Sequence, residues 1–449
     1  MGKEEGVYNY ATKAVPNAVW DSEPRLKESL TELSSDYRWP NTSSKAEFES
    51  LILHSNFRTD FRKKDKNITE KELLIAEQDT VDQMKALITQ VPDDFMTFNH
   101  YLRVVEKLDW TSSPGYPYML RFPNNAQLFS TKDGIPDPQR VLDIWQTVIA
   151  QVNSGNSDPI RVFIKQEPHT VKKCEEGRYR LISSVSVIDQ ILDQMIFGFT
   201  NSKQIEDHYM TPIMVGWSPF NSGWRILDPL QDPVALDKSK WDWTVRGWMI
   251  RSILRIRSKL IKGNKKMWES LANWRYVQLH VSPIFILSNG MKFRQINPGV
   301  IKSGSVNTIM DNSIAQVLLD KIVKNRTGVG ASMTLAMGDD TIQLFPPGSN
   351  INKYHTEMSQ LCAVKPLLMA NEFCGFRFGE GQITPCYVGK HAFNLLHVDD
   401  KVKVELAASY SLNYHRSRKN KDIIYKAIEK LSSNLPTEQF KDDVIDGLT

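Results

Sequence analysis

The chain has 449 residues, 41% of them hydrophobic and 24% charged, with a net charge of only +4. That composition excludes an intrinsically disordered chain, and the length predicts two or three domains or subdomains. A mildly basic balance permits a nucleic-acid partner without requiring one.

The placement of charge and cysteine narrows the field further. Seven basic residues and no acid lie between Arg251 and Lys266, with smaller clusters at Arg62-Lys63-Lys64 and at Arg416, Arg418, Lys419 and Lys421. Each run suits either a solvated face or a phosphate contact. Four scattered cysteines, Cys174, Cys362, Cys374 and Cys386, have neither zinc-site spacing nor disulfide density, which fits a reducing compartment. No apolar run is long enough to span a bilayer, and Met-Gly-Lys-Glu-Glu-Gly at the start has no apolar signal core. Membrane association is therefore expected only through partners or at the periphery.

In chain order, residues 1–100 read as largely helical, for example over 45–55 and 70–91. Thr111-Ser-Ser-Pro-Gly-Tyr-Pro-Tyr118 reads as a stiff loop. A strand is expected over 160–165, followed by a basic segment to Arg180, a strand over 181–187 and a helix over 188–199. A short strand ends at Asp237, and a helix is expected over 243–262. Residues 276–297 suggest a β-hairpin turning at Asn289-Gly290. Ser303-Gly304-Ser305 is a loop entering a helix over 307–324, whose apolar residues follow helical spacing. Strands over 331–337 and 341–345 flank Gly338-Asp339-Asp340. A helix near 353–362, a β element near 372–378 and a mostly helical remainder complete the chain. This order predicts an α+β fold with an antiparallel sheet backed by helices.

Four groups of residues carry chemistry. Gly338-Asp339-Asp340 taken alone is better read as a solvated hairpin tip. Asp237 at a second strand end, with Asp242 five residues on, changes that balance if the two strands are neighbours. Paired carboxylates repel unless a cation sits between them, and Mg²⁺ takes oxygen ligands of this kind. Thr308 and Asn312, one helical turn apart after Ser303-Gly304, could hydrogen-bond a ribose or Asp242; an N-capped core helix is the alternative. Lys165, Lys172, Lys173, Arg178 and Arg180 could neutralise a triphosphate, or form a basic surface loop.

Taken together and in order, these segments resemble the motifs of positive-strand RNA virus RNA-dependent RNA polymerases, of the sobemovirus and polerovirus type. Thr111–Tyr118 resembles motif G, and Phe163-Ile-Lys-Gln-Glu-Pro-His169 with Gly177-Arg-Tyr-Arg-Leu-Ile182 resembles motif F. Asp237-Lys-Ser-Lys-Trp-Asp-Trp-Thr-Val-Arg-Gly-Trp248 is similar to motif A, and Ser303, Gly304, Thr308 and Asn312 match motif B. Met337-Gly-Asp-Asp340 matches motif C, and Glu372-Phe-Cys-Gly375 resembles motif E. The motif G segment carries an inserted proline relative to the picornavirus form.

The resemblance implies a closed right hand. Fingers would comprise 1–230 and 263–300, palm 231–262 and 301–370, and thumb 371–449. It implies RNA-templated RNA synthesis with two Mg²⁺ ions, Mn²⁺ being an alternative, bound by Asp237, Asp339 and Asp340. Asp242, Thr308 and Asn312 would read the ribose, and Ser303 and Gly304 would form a moving loop. Lys165 and Arg180 would grip the triphosphate, helped by Lys173 and Arg178. Lys365 is the implied general acid, with Lys353 as the alternative. Implied partners are RNA, NTPs, a genome-linked protein primer and other viral replication proteins; the implied location is the host cytoplasm, in membrane-associated complexes. A DNA-making relative would place a bulky side chain where Asp242 and Asn312 stand.

Overall fold

The computed structural model describes residues 15–63 and 68–448, except the side chains of residues 62 and 63. The Arg62-Lys63-Lys64 cluster and the Met1–Gly6 start therefore lie outside the described residues. Among those described, no helix is long and apolar enough to cross a membrane. Cys174, Cys362, Cys374 and Cys386 are all free thiols.

The central sheet is antiparallel throughout. Its strand order is Met333–Met337, Asp340–Leu344, Val234–Leu236 and Leu368–Met369. Side-chain alternation divides its apolar residues between two cores. Val234, Leu236 and Ala336 face a large core shared with Ile253 and Ile256 of the Gly247–Lys259 helix, Ile314 and Leu318 of Thr308–Thr327, and Met358 of Ile351–Leu361. Leu335 and Ile342 face the other side, against Trp217, Phe373 and Phe378. Both faces are thus covered, and the α+β expectation holds.

A second four-stranded sheet orders Leu181–Ser184, Ile160–Ile164, Ile284–Ile286 and Lys292–Arg294. Ile160, Val162 and Ile164 point to one buried side at period two. Its central pair, Ile160–Ile164 with Ile284–Ile286, is parallel. A three-stranded antiparallel sheet, Glu372–Phe373, Phe376–Gly379 and Gln382–Pro385, leads into the C-terminal helices. Trp20 and Leu30, near the start of the described chain, pack among those helices with Leu395, Tyr414 and Ile428.

Three expectations need correction. The helix expected over 243–262 is two helices, Trp241–Thr244 and Gly247–Lys259. Between them the chain is extended and a distant loop bonds alongside: Val300 N–H donates to Val245 O at 2.9 Å, and Ile301 N–H to Asp242 O, within the first helix, at 2.9 Å. Gly299 makes this approach possible, because a Cβ there would lie 2.2 Å from Val245 O. The hairpin over 276–297 is shorter than expected. Residues 265–281 are helical, ending in a π-turn at Val277–Val281, and only Ile284–Ile286 and Lys292–Arg294 pair, with Gly290 left-handed in the turn. The helix expected over 70–91 stops at Gln83, after which Thr89–Gln90 pairs with Ile261–Lys262.

Part of the basic run 251–266 is internal: Arg257 is buried and Arg255 half-buried, whereas Arg251, Lys259, Lys262 and Lys266 are exposed. Arg255 binds Glu77, and Arg257, 2% exposed, donates from Nε to Asp311 Oδ1 at 2.8 Å. Tyr276 Oη also donates to Asp311, and Arg257 reaches Thr200 and Asn201. One guanidinium thereby joins four helices around the first turns of Thr308–Thr327. Replacing Arg257 by alanine would leave the Asp311 carboxylate buried without its partner. We expect a loss of about 3–5 kcal/mol in urea unfolding, and a markedly smaller loss when Asp311→Leu accompanies Arg257→Met.

Candidate active site

The acid pair arises from strand register. Met337 pairs with Asp340, so Gly338 and Asp339 are the two central residues of a tight hairpin. Gly338 takes φ +66°, the left-handed value that a two-residue hairpin turn demands and glycine supplies freely. Its N–H donates to Ser313 Oγ at 2.8 Å, fastening the turn to the Thr308–Thr327 helix. Thr341 pairs with Leu236, so the next position along that register sets Asp237 opposite Asp340. Asp237 and Asp339, a hundred positions apart in sequence, therefore share one end of the sheet.

The electrostatics record this crowding. Burial, then the charges of Asp339 and Asp237, push the Asp340 carboxyl up to about 6. Asp339 stands at the exposed tip of the turn, yet the surrounding walls and Asp237 raise it as well. Lys238, buried behind the strand ends, donates from Nζ to Thr341 Oγ1 at 2.6 Å and to Leu236 O at 3.1 Å. Lys365 sits beside the acids: its N–H donates to Asp237 O at 2.9 Å and its ammonium pairs with the Asp237 carboxylate. Lys353 does not join them. Its Nζ donates to Thr327 O at 2.7 Å, at the far end of the helix from Thr308 and roughly 28 Å along its axis.

Asp242 lies across the cleft. Burial and the Asp339 charge raise its carboxyl to about 6. Asn312 Nδ2 donates to Asp242 Oδ1 at 3.3 Å, while Asn312 Oδ1 accepts from the Trp241 indole at 2.8 Å. The indole therefore fixes which way the amide faces. Sequence reading missed this orienting role for Trp241, although the residue stands directly before Asp242. Thr308 is committed differently from expectation: its hydroxyl contacts Lys302 O at 2.7 Å and Ser305 O at 2.8 Å, leaving only acceptor capacity toward the cleft.

The Ser303-Gly304 loop is laced to the strand Leu181–Ser184. Ser303 Oγ accepts from Ser183 N–H at 3.0 Å, and Gly304 N–H donates to Ser183 O at 3.0 Å. A Cβ on Gly304 would lie 2.4 Å from that oxygen, so no other residue fits so close. The same strand region brings the cations. Lys165 N–H donates to Arg180 O at 2.8 Å, and the Arg180 charge reaches both Asp242 and Asp339, drawing their carboxyls down. Lys173 is lowered by burial, then by Arg180, Arg178 and Lys365, which places it in the same positive field. Arg178 is held by Glu176 at 2.8 Å. Glu167, not singled out as a functional residue by its sequence, sits amid these cations.

A cavity of about 560 Å³ opens beside Asp340, lined by Ile309, Met337, Phe376, Tyr387 and His391 among others. The acids thus have a largely apolar cavity beside Asp340 and feel the positive charge of Arg180 at Asp339 and Asp242. Among the described residues no three acid, His or Cys side chains close around one point by themselves. The donor set still suits a hard divalent cation, which commonly takes one or two carboxylates and completes its shell with substrate phosphate. The raised Asp339 and Asp340 are what such a cation would relieve.

Comparison with known proteins bears on this geometry. Residues 68–366 match the family model of viral RNA-dependent RNA polymerases. Protein P1-P2 of pea enation mosaic virus-1 is 28% identical over 378 residues, which are 74% of this chain and 30% of that protein. The replicase polyprotein P2AB of Southern cowpea mosaic virus is 34% identical over 50% of this chain and 24% of its own length. The chain thus spans a minor part of these polyprotein relatives. The RNA-directed RNA polymerase of mushroom bacilliform virus is 28% identical over 64% of this chain and 74% of its own. In fold, a sicinivirus 3Dpol RNA-dependent RNA polymerase superposes with a TM-score of 0.65, at 16% identity, covering 86% of this chain and 87% of its own. The right-hand polymerase fold and the sobemovirus-polerovirus resemblance expected from sequence both stand.

A raised carboxyl costs stability once it ionises, since the folded state then holds a charge that the unfolded chain carries at no penalty. For Asp340 the penalty grows as pH rises from the ordinary carboxylate value to about 6, is full above that, and is absent below the ordinary value. With chelator present, Asp340→Asn should therefore unfold at higher urea than the parent at pH 7.5, by up to roughly 2 kcal/mol. The difference should vanish near pH 4.

Proposed function

Because the chain belongs to the viral RNA-dependent RNA polymerase family, we propose that it copies an RNA template into RNA by nucleotidyl transfer during viral genome replication. The observation that carries this reading is the strand register that sets Asp237 opposite Asp340 and beside Asp339, facing Arg180 and the Asp242–Asn312 pair. In the reaction the 3′-oxygen of the growing strand bonds to the nucleotide α-phosphorus. The bond from that phosphorus to the bridging oxygen breaks, and pyrophosphate leaves.

Asp237, Asp339 and Asp340 would hold two divalent cations, Mg²⁺ or Mn²⁺, which activate the attacking oxygen and offset charge on the leaving one. The chain's own residues do the rest. Lys165, Arg180 and Lys173 neutralise the triphosphate. Lys365, already paired with Asp237, would give a proton to the departing pyrophosphate. Asp242 accepts from a ribose hydroxyl, with its other oxygen steadied by Asn312; this is the group that separates NTP from dNTP. The cavity beside Asp340 receives the end of the growing strand.

In this reading the central sheet is the palm and the 160–184 and 284–294 sheet belongs to the fingers. Residues 371–449 form the thumb, onto which the segment around Trp20 and Leu30 packs. Template grip through phosphates makes RNA affinity fall with salt. A genome-linked protein primer, other replication proteins and a cytoplasmic, membrane-associated setting complete the proposal.

Two substitutions test it. Asp339→Ala should lower primer extension on an RNA template about a thousandfold or more, with RNA affinity within roughly threefold of the parent. Unchanged synthesis would refute the site assignment. Asn312→Ala should relax discrimination against dNTPs by about tenfold, a hydrogen bond to a charged group being at stake, while the metal concentration for half-maximal activity stays put. Identical NTP/dNTP ratios in the two proteins would remove Asn312 from sugar selection.

A further inference from the structure

Glu167 accepts from three cations at once. Arg180 Nη1 lies 2.6 Å from its Oε1, while Lys390 Nζ at 2.8 Å and Lys165 Nζ at 3.3 Å share its Oε2. Its side chain is 16% exposed, against 55% for Arg180 and 28% for Lys390. Burial alone would raise this carboxyl, but the Lys390 hydrogen bond and the charges of Arg180 and Lys165 hold it at about 2. Lys390 comes from the helix Val388–Leu396, more than 200 positions away in the chain.

Three cations this close repel one another without an anion among them. One carboxylate cancels a single charge and leaves an excess of two. Each ammonium and the guanidinium has more donors than its bond to Glu167 uses. A triphosphate offers more charge and more oxygens than Glu167 does, and Arg180 already reaches Asp242 and Asp339 across the cleft.

We propose that Glu167 stands in for phosphate: before a nucleotide arrives it gathers Lys165, Arg180 and Lys390, and the incoming triphosphate then takes these cations from it. Lys390 is thereby a nucleotide contact contributed by the C-terminal helices, and Glu167 is a competitor that sets nucleotide affinity. This rests on the polymerase reading for the identity of the ligand, but the binding half of its test does not need synthesis.

The test is calorimetric titration of the full chain with inorganic tripolyphosphate, without RNA or metal, followed by NTP KM in primer extension. Lys390→Gln should weaken tripolyphosphate binding and raise KM about tenfold, and Lys390→Arg should restore both to within about twofold. Glu167→Gln should tighten tripolyphosphate binding about threefold or more, by removing the competing charge. Lys45→Gln, at an exposed lysine paired with Glu49, controls for net charge and should change nothing. A Lys390→Gln protein within twofold of the parent, or a folded Glu167→Gln protein that binds no tighter, would overturn the proposal. Should Glu167→Gln show no melting transition, the two Lys390 variants decide. A parent chain that binds tripolyphosphate as described but extends no primer would refute the polymerase reading and leave the anion site standing.

Discussion

Carboxylates at adjacent strand ends repel, and the fold has to hold them together before any cation helps. The constraint that does so is the antiparallel register between Val234–Leu236 and the strand Asp340–Leu344. Side chains alternate faces along a strand, so a slip of one residue would turn Val234 and Leu236 out of the core and carry Asp237 to the wrong side. Hydrophobic burial on both faces thus fixes the position of the acids. Buried Lys238, bonded to Thr341 and Leu236, adds a positive charge behind them without taking a place in the cleft.

The helix Thr308–Thr327 carries that order to the Asp242 side. Asp311 and Asn312 are neighbours on its first turns and point to different tasks. Asp311 is bound by Arg257 and Tyr276 in the core, whereas Asn312 faces Trp241 and Asp242. A buried ion pair is weak as a source of stability but strict about direction. Here it fixes the rotation of the helix, and with it the angle at which Asn312 meets Asp242. Ser313, the next residue, holds Gly338 and so ties the helix to the acid turn as well.

What the sequence made legible were features that depend on local spacing. The hairpin at Gly338-Asp339, the helix behind Ser303-Gly304 and the strand ending near Asp237 follow from apolar period and turn chemistry. Features set by distant partners were not legible. The break at Val245-Arg246 exists because the loop 299–301 hydrogen-bonds there, and nothing within 243–262 announces it. The same applies to charge. Counting basic residues made 251–266 the leading positive segment, yet Arg255 and Arg257 answer to Glu77 and Asp311. The hydroxyl of Thr308 could be counted as a site group from spacing alone, but the backbone turn before the helix claims its proton. Lys365 was preferred over Lys353 with no sharp motif around either; in the fold Lys365 pairs with Asp237 while Lys353 bonds Thr327 O.

The basic segment ending at Arg180 and the helix bearing Asn312 are joined by a very short piece of chain. Arg180 and Ser183 are three residues apart, and Ser183 exchanges two hydrogen bonds with Ser303 and Gly304, which lead directly into the helix bearing Asn312. Gly304 approaches Ser183 so closely that a Cβ would collide with its carbonyl oxygen, so the loop cannot shift against the strand without breaking that contact. In the proposed reading, the residue that would meet phosphate and the residue that would meet the ribose are therefore tied to one strand through two backbone hydrogen bonds. Packing two backbones at glycine distance leaves that junction no room for a side chain.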